Sequence, residues 1–419
     1  MSGSGVGVLL IGGEERAVLA TTQALRRAGY RIGCCAARSV APALWSRICD
    51  ERLVTPDPRD GAERFVSALE PIAASGHYSV LLPGADAALL AASALRRRLE
   101  PHLRLGLPDH ATVERCLDKV ELRAAAVELS WEPLALCEKA ESLLPTAEAL
   151  GFPVVLKAQR SVRLAPDGRF VQSMAKVVSV ERELQAAAEE VGLPLFLEHY
   201  QERPAIVSCA GVVAEGKLLA SAASRYQRTW PPIAGSASLS EPVDAPPGLT
   251  ERVEGLVAAL CWQGIFELEL FDIDGEGPQA VDLNPRPYGS LALAVAAGAK
   301  LPAIWCDRLL GRQRPVGLAV AAEFRCGVCY KQETYNLLTR TELRLRERPL
   351  VVMESSFLND TKLLENRIKE RLIQLTRVCL FIDGVITVSW HNNTLMTRKE
   401  RRIYEYFVNL ATTTEEKQR

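Results

Sequence analysis

Residues 280–290 read AVDLNPRPYGS, an apolar run that carries one acid and leaves through Asn-Pro-Arg-Pro toward Gly-Ser. Side chains of a strand alternate between faces, so Asp282 and Asn284 share one. Pro285 and Pro287 fix the backbone on either side of Arg286, and a guanidinium presented so rigidly suits bidentate contact with phosphate or carboxylate. Just upstream, GIFELELFDIDGEG (264–277) reads as a second strand with Glu267, Glu269 and Phe271 on one face and residues 272–277 as its turn. Pairing the two strands antiparallel brings Glu269 within reach of Asp282. Two carboxylates and an amide oxygen are hard ligands, the set that suits magnesium bound jointly by protein and substrate phosphates. Such a site would hold a nucleoside triphosphate; the competing account is a pair of surface acids on an exposed sheet face.

Working outward, FPVVLKAQ (152–159) reads as a buried strand ending near Lys157. An ammonium there must be solvated or paired, because burying it alone is very costly, so either a phosphate partner or a snorkelling stem accounts for it. LPLFLEHYQERP (193–204) is another apolar strand ending in polar residues, and residues 205–230 read as a hairpin turning at Gly216. Farther upstream the texture changes. VGVLLI (6–11), Gly12-Gly13 and a helical pattern up to Gly29 make a strand, turn and helix. The pattern recurs with a strand over 79–82 and a helix over 85–99, and such alternation implies a parallel, doubly wound sheet. A dinucleotide site is not expected, because G-x-G-x-x-G is absent after the first strand and the second, YRIGCCA, lacks an acid for a ribose. The first 110 or so residues read as scaffold, followed by one helix over TVERCLDKVELRAAAVEL (112–129).

The 419 residues allow two to four packed units, and 48% hydrophobic with 24% charged residues fits a soluble globular chain. A net charge of -1 gives no global attraction to nucleic acid or to anionic membrane. No apolar run is long and unbroken enough for a transmembrane helix or signal segment, and eleven scattered cysteines favour reduced, buried thiols, so a cytoplasmic location is expected. Cys326 and Cys329 form the one C-x-x-C, without the two further ligands a structural zinc needs. Composition breaks near residue 323: Asn occurs once before residue 326 and six times after it, and residues 326–419 carry a net +4 against -5 for the rest. Acids interleave with the bases there, so a solvated surface is expected rather than a nucleic-acid face.

The order of a strand-end lysine, an apolar strand ending in Glu, an acid on a penultimate strand and then D-x-N-P-R resembles the ATP-grasp superfamily, nearest its carbamoyl-phosphate-synthetase-like, carboxylate–amine ligase branch. The likeness covers roughly residues 5–312, and VDLNPRPYGS followed by AVAAGAKLP is its most specific part. It implies an α/β protein with α+β lobes: a Rossmann-like domain (1–112), then a two-lobed ATP-grasp fold with small lobe 113–195 and large lobe 196–322, then an extension (323–419). It further implies an ATP-dependent C–N ligase using Mg2+ or Mn2+, acting on a small-molecule carboxylate and amine, with a homodimer compatible. By the resemblance Lys119 and Lys157 meet the ATP phosphates, Glu198 and His199 form the adenine-reading hinge, and Glu202 stands nearest to the ribose acid. Glu269, Asp282 and Asn284 match the metal ligands, Arg286 the arginine at the γ-phosphate and acyl phosphate, and Arg225 a basic residue near the transferring group. The chain departs from the pattern in having Asp282 for Glu, His199 for a frequent Glu, and one glycine, Gly168, in the loop expected to cover the phosphates. Arginines of that loop would then cradle phosphate by charge. Two other functions stay open: an ATP-grasp protein that binds nucleotide without ligation, and a bicarbonate-phosphorylating enzyme.

Overall fold

The apolar run Gly7–Ile11 forms β1, and both its faces are covered: Leu9 and Ile11 enter one core, Val8 and Leu10 another. Covering both faces is what a parallel sheet between helix layers demands. In this computed structural model, which describes residues 5–129, 136–137, 142–165, 167–192, 194–200, 205–230, 235–273 and 277–312 with short fragments farther on, β1 lies at the middle of a five-stranded parallel sheet. Its other strands are β2 (Arg31–Ala36), β3 (Glu51–Val54), β4 (Val80–Pro83) and β5 (Arg104–Leu105), in the order β3-β2-β1-β4-β5. The order reverses between β1 and β4, so the crevice at their carboxyl ends is the ligand-facing edge of such a sheet. Gly12, at φ 91°, turns the chain there so that Gly12 and Gly13 both donate to the Cys35 carbonyl (3.1 and 2.9 Å), and Glu14 and Glu15 follow. After β4, Gly84 leads to Asp86 in the first turn of the helix Asp86–Ala94; a Cβ on Gly84 would lie 2.1 Å from Val18 Cγ2.

The second sheet is antiparallel and carries its own core. It contains β6 (Leu136–Cys137) and β7 (Val154–Ala158); a separate hairpin, β8 (Val162–Leu164) and β9 (Phe170–Gln172), precedes β10 (Lys176–Val178) and β11 (Leu195–His199). The sheet order is β10-β7-β11-β6, and helices Leu143–Leu150 and Leu184–Val191 close its apolar face over Val154, Leu156 and Leu197. The hairpin does not join that core: Val162 belongs to the first core, with Phe170 packed against it.

The third sheet, antiparallel throughout, runs β14-β13-β12-β15-β16, from β12 (Ala205–Ala214), β13 (Lys217–Trp230), β14 (Ser236–Val243), β15 (Gly264–Ile273) and β16 (Gly277–Asn284). Glu215 and Gly216, at φ 53° and 71°, make the tight β12–β13 turn. This sheet shares both cores of the parallel sheet: Val207, Leu268 and Leu283 lie in the first, Val212 and Ile265 in the second. The helix Leu301–Leu309 ties the two sheets together, with Trp305 Nε1 donating to Gly106 O (3.1 Å) and Tyr30 OH to Asp307 Oδ1 (2.5 Å).

Two helices expected as single pieces are divided. Residues 85–99 form Asp86–Ala94 and Arg96–Leu99. Residues 112–129 fall in His110–Cys116 and Lys119–Glu128, because Asp118 is extended and caps the second helix, accepting from Val120 N (2.9 Å) and Glu121 N (3.4 Å). A short acceptor side chain that satisfies the first amides of a helix starts one rather than continues one. The readings made on residues 326–419, Cys326 and Cys329 included, lie almost wholly outside the described residues. Among the described residues no helix is long and apolar enough to cross a membrane.

Candidate active site

The β15–β16 ladder sets Glu269 directly opposite Asp282 and Glu267 directly opposite Asn284. All four side chains therefore share one face of the sheet, and a register shift immediately after Glu269 ends the regular pairing. Glu267 is buried and fully partnered. Its Oε1 accepts from Ser208 Oγ (2.9 Å), Ser290 Oγ (2.9 Å) and Tyr226 OH (3.2 Å), and its Oε2 from Asn284 Nδ2 (3.2 Å). Tyr226 OH also lies 3.0 Å from Glu269 Oε1. Burial, and then the neighbouring Glu267 and Asp282 charges, push the Glu269 carboxyl up to about 8, while the nearby Lys157 ammonium draws it down. Burial raises Glu267 as well, opposed by the three hydroxyls that bond it.

Cations close the other side. Lys119, almost wholly buried at the start of the helix Lys119–Glu128, forms a close ion pair with Asp282. On β7, Lys157 pairs with Glu198 of β11 at 2.7 Å, so it neither snorkels nor waits unpaired. Glu198 is buried, and its Oε1 has no hydrogen-bond partner. Arg123, one helical turn after Lys119, stacks over Phe196 with its carbon 5.6 Å from the ring centre, and its buried Nη2 likewise has no partner. Burial lowers the Arg123 guanidinium to about 10, with Glu198 opposing the shift. An unpartnered acceptor and donor at one buried place are polar groups of the kind a ligand would satisfy.

Arg286 reaches the parallel sheet. Its Nε meets Asp86 Oδ1 at 2.5 Å, its Nη2 lies 3.4 Å from Asp86 Oδ2 and 3.3 Å from Asn284 Oδ1, and its Nη1 donates to Pro287 O (3.1 Å). Glu15, raised by burial, feels the same guanidinium as its main opposing charge. The crevice between β1 and β4 therefore opens onto the β16 exit, and the first 110 residues are more than the scaffold the sequence led us to expect.

Lys119, Lys157, Glu198, Glu269, Asp282, Asn284 and Arg286 thus form one connected cluster. His199 is exposed and its Nδ1 lies 3.3 Å from Leu150 O, on the outer side of the β11 end. Arg225 is exposed and alternates along β13 with Tyr226, whose hydroxyl meets the carboxylates; strand geometry directs Arg225 to the opposite face, away from them. Glu202 lies outside the described residues. Of the three arginines in the loop expected to cradle phosphate, Arg160 is engaged elsewhere, bonding Asp118 (3.1 Å) and Glu114 (2.9 Å), whereas Arg163 and Arg169 are exposed. Asp86, Tyr226, Arg123, Ser208 and Ser290 belong to the site without having been expected there from the sequence. Only Arg123, four residues from Lys119, and Ser290, inside the opening stretch, left a local signal.

Among the described residues no three His, Cys, Asp or Glu side chains gather into a metal-holding cluster. Two carboxylates and an amide oxygen suit a hard cation whose shell is completed by phosphate oxygens and water, as magnesium's usually is.

No protein-family profile and no curated protein matches this chain. Solved structures do match. N5-carboxyaminoimidazole synthetase from Staphylococcus aureus, complexed with ADP, superposes with a TM-score of 0.56 at 12% identity over 74% of this chain and 79% of its own. An L-amino acid ligase from Bacillus licheniformis gives 0.56 at 14% identity over 75% and 76%. A biotin carboxylase from Campylobacter jejuni gives 0.56 at 15% identity over 74% and 72%. At such identities the likeness is one of fold.

Proposed function

We propose that this chain, whose fold is that of the ATP-grasp ligases, is an ATP- and magnesium-dependent enzyme that joins a carboxylate to an amine or similar nucleophile through an acyl phosphate. The observation that carries the reading is Glu269 facing Asp282 across the ladder, with Lys119 on Asp282 and Lys157 beside Glu269. The ADP complex of the staphylococcal protein supports the choice of nucleotide. A carboxylate oxygen of the substrate attacks the γ-phosphorus and ADP leaves. The amine nitrogen then attacks the acyl carbon, phosphate departs with the bonding pair, and the nitrogen gives up a proton. Neither step requires a nucleophile from the protein.

Magnesium or manganese, held by Glu269, Asp282 and Asn284, would neutralise phosphate charge. Lys119 would exchange its carboxylate partner for phosphate, and Lys157 would sit beside it. Arg286, braced by two prolines and Asp86, would face the transferring phosphoryl group, where a fixed guanidinium stabilises developing charge without reorganising. The β11 end at Glu198 and His199 would offer backbone groups to adenine, with Glu202 beyond it toward the ribose. Arg225 is left out of this assignment because it lies on the far face of β13.

Magnesium-dependent ADP release, measured across a panel of carboxylates with and without amines, tests the reading. Ligation requires turnover that depends on both substrates, with Asp282→Asn and Glu269→Gln each losing magnesium–ATP affinity. ATP binding with no turnover on any pair would leave a nucleotide-binding protein, and turnover with bicarbonate alone would make it a bicarbonate-phosphorylating enzyme.

A further inference from the structure

Glu267 has no part in the assignment above, yet four donors converge on it. Two of them, Asn284 and Ser290, come from the two ends of the turn that carries Arg286. A carboxylate only accepts hydrogen bonds, so the Asn284 side chain must turn its nitrogen toward Glu267 Oε2. Arg286 only donates, so the Asn284 oxygen must face Nη2, at 3.3 Å. The amide is thereby fixed with its nitrogen on Glu267 and its oxygen turned away from Glu267, on the side of Arg286. Ser208 and Tyr226, from β12 and β13, hold Glu267 in turn (2.9 and 3.2 Å), so the orientation is anchored in the sheet rather than in the turn.

We infer that Glu267 is a positioning residue: it holds the oxygen of Asn284 outward and so sets the affinity of the site for a divalent metal–nucleotide complex. The inference rests on the nucleotide reading above. Partners of this kind, one shell behind a ligand, typically change metal affinity by ~10–100-fold when altered.

The test is a double-mutant cycle on the full-length chain, with Mn2+–ATP binding followed by the Mn2+ paramagnetic resonance signal and folding followed by thermal melting. In Asn284→Asp the amide donor to Glu267 is lost and two carboxylates face each other, staying together only by taking up a proton that a metal would have to displace, and in Glu267→Gln the donor and acceptor pattern is broken. The double variant Glu267→Gln/Asn284→Asp restores it with roles exchanged: the Gln nitrogen donates to one Asp oxygen and leaves the other outward. Each single variant is expected to bind ~10-fold or more weakly, and the double to recover to within a few-fold of the parent. If a single variant does not fold, recovery of folding in the double reports the same coupling. Wild-type affinity in Glu267→Gln, or a double variant no better than the worse single, overturns the inference. A parent chain that binds no Mn2+–ATP would instead sink the nucleotide reading itself.

Discussion

At the scale of single residues, the Glu269 carboxyl decides how the site responds to pH. Its value is raised from 4.5 to about 8, so between those limits the folded chain without metal keeps a proton that the unfolded chain has lost. Stability therefore falls as pH rises through that window, the reverse of a salt-bridged acid. A metal needs the ionised form, so its affinity rises over the same window and binding releases a proton. Thermal melting and metal titration from pH 5 to 9 should show both trends, and Glu269→Gln should flatten the first and abolish the second. The partnership of Asp282 with Asn284 was legible in the sequence because strand alternation is local. Asp86 was not, since nothing near position 86 or 286 says which loop of a distant sheet will meet a guanidinium. Glu267 was placed on the right face, but its four donors come from β12, β13, β16 and the turn beyond, and no period in a single strand reveals them.

At the scale of elements, strands were the easier reading, because the apolar runs of β1, β4, β7 and β11 are short, bounded and buried. Helix limits were harder: apolar spacing runs on through Leu117, and only a cap at Asp118 divides the pattern. That residue also joins elements. Besides capping Lys119–Glu128 it accepts from Gln159 Nε2 (2.7 Å) and Arg160 Nε (3.1 Å), which lead into the β8–β9 hairpin. Asp118→Ala should cost more than the ~0.5–2 kcal/mol of a lost cap, because a half-buried guanidinium loses a partner as well. Chemical denaturation measures the cost. Amide exchange should quicken in residues 162–172 beyond what a cap confined to its own helix would cause.

At the scale of the whole molecule, the parallel sheet and the large antiparallel sheet are two walls around shared cores, while the sheet of β6, β7, β10 and β11 is closed over its own. Alternation of strands and helices announced the first wall; no sequence pattern announced that it would be built into the third sheet through Trp305 and Asp307. Residues 1–112 and 113–419 expressed apart should each expose the surface now buried between those walls and precipitate. Co-expression should recover a complex of one copy of each, and two fragments that are separately monomeric and cooperatively folded would disprove the shared core. The same division bears on inheritance. A change in either wall is felt from β1 to the helix Leu301–Leu309, whereas a change behind Val154, Leu156 and Leu197 ends within one lobe. The apolar core of that lobe can thus vary alone as long as Lys157 and Glu198 keep their places, while the two walls have to drift together.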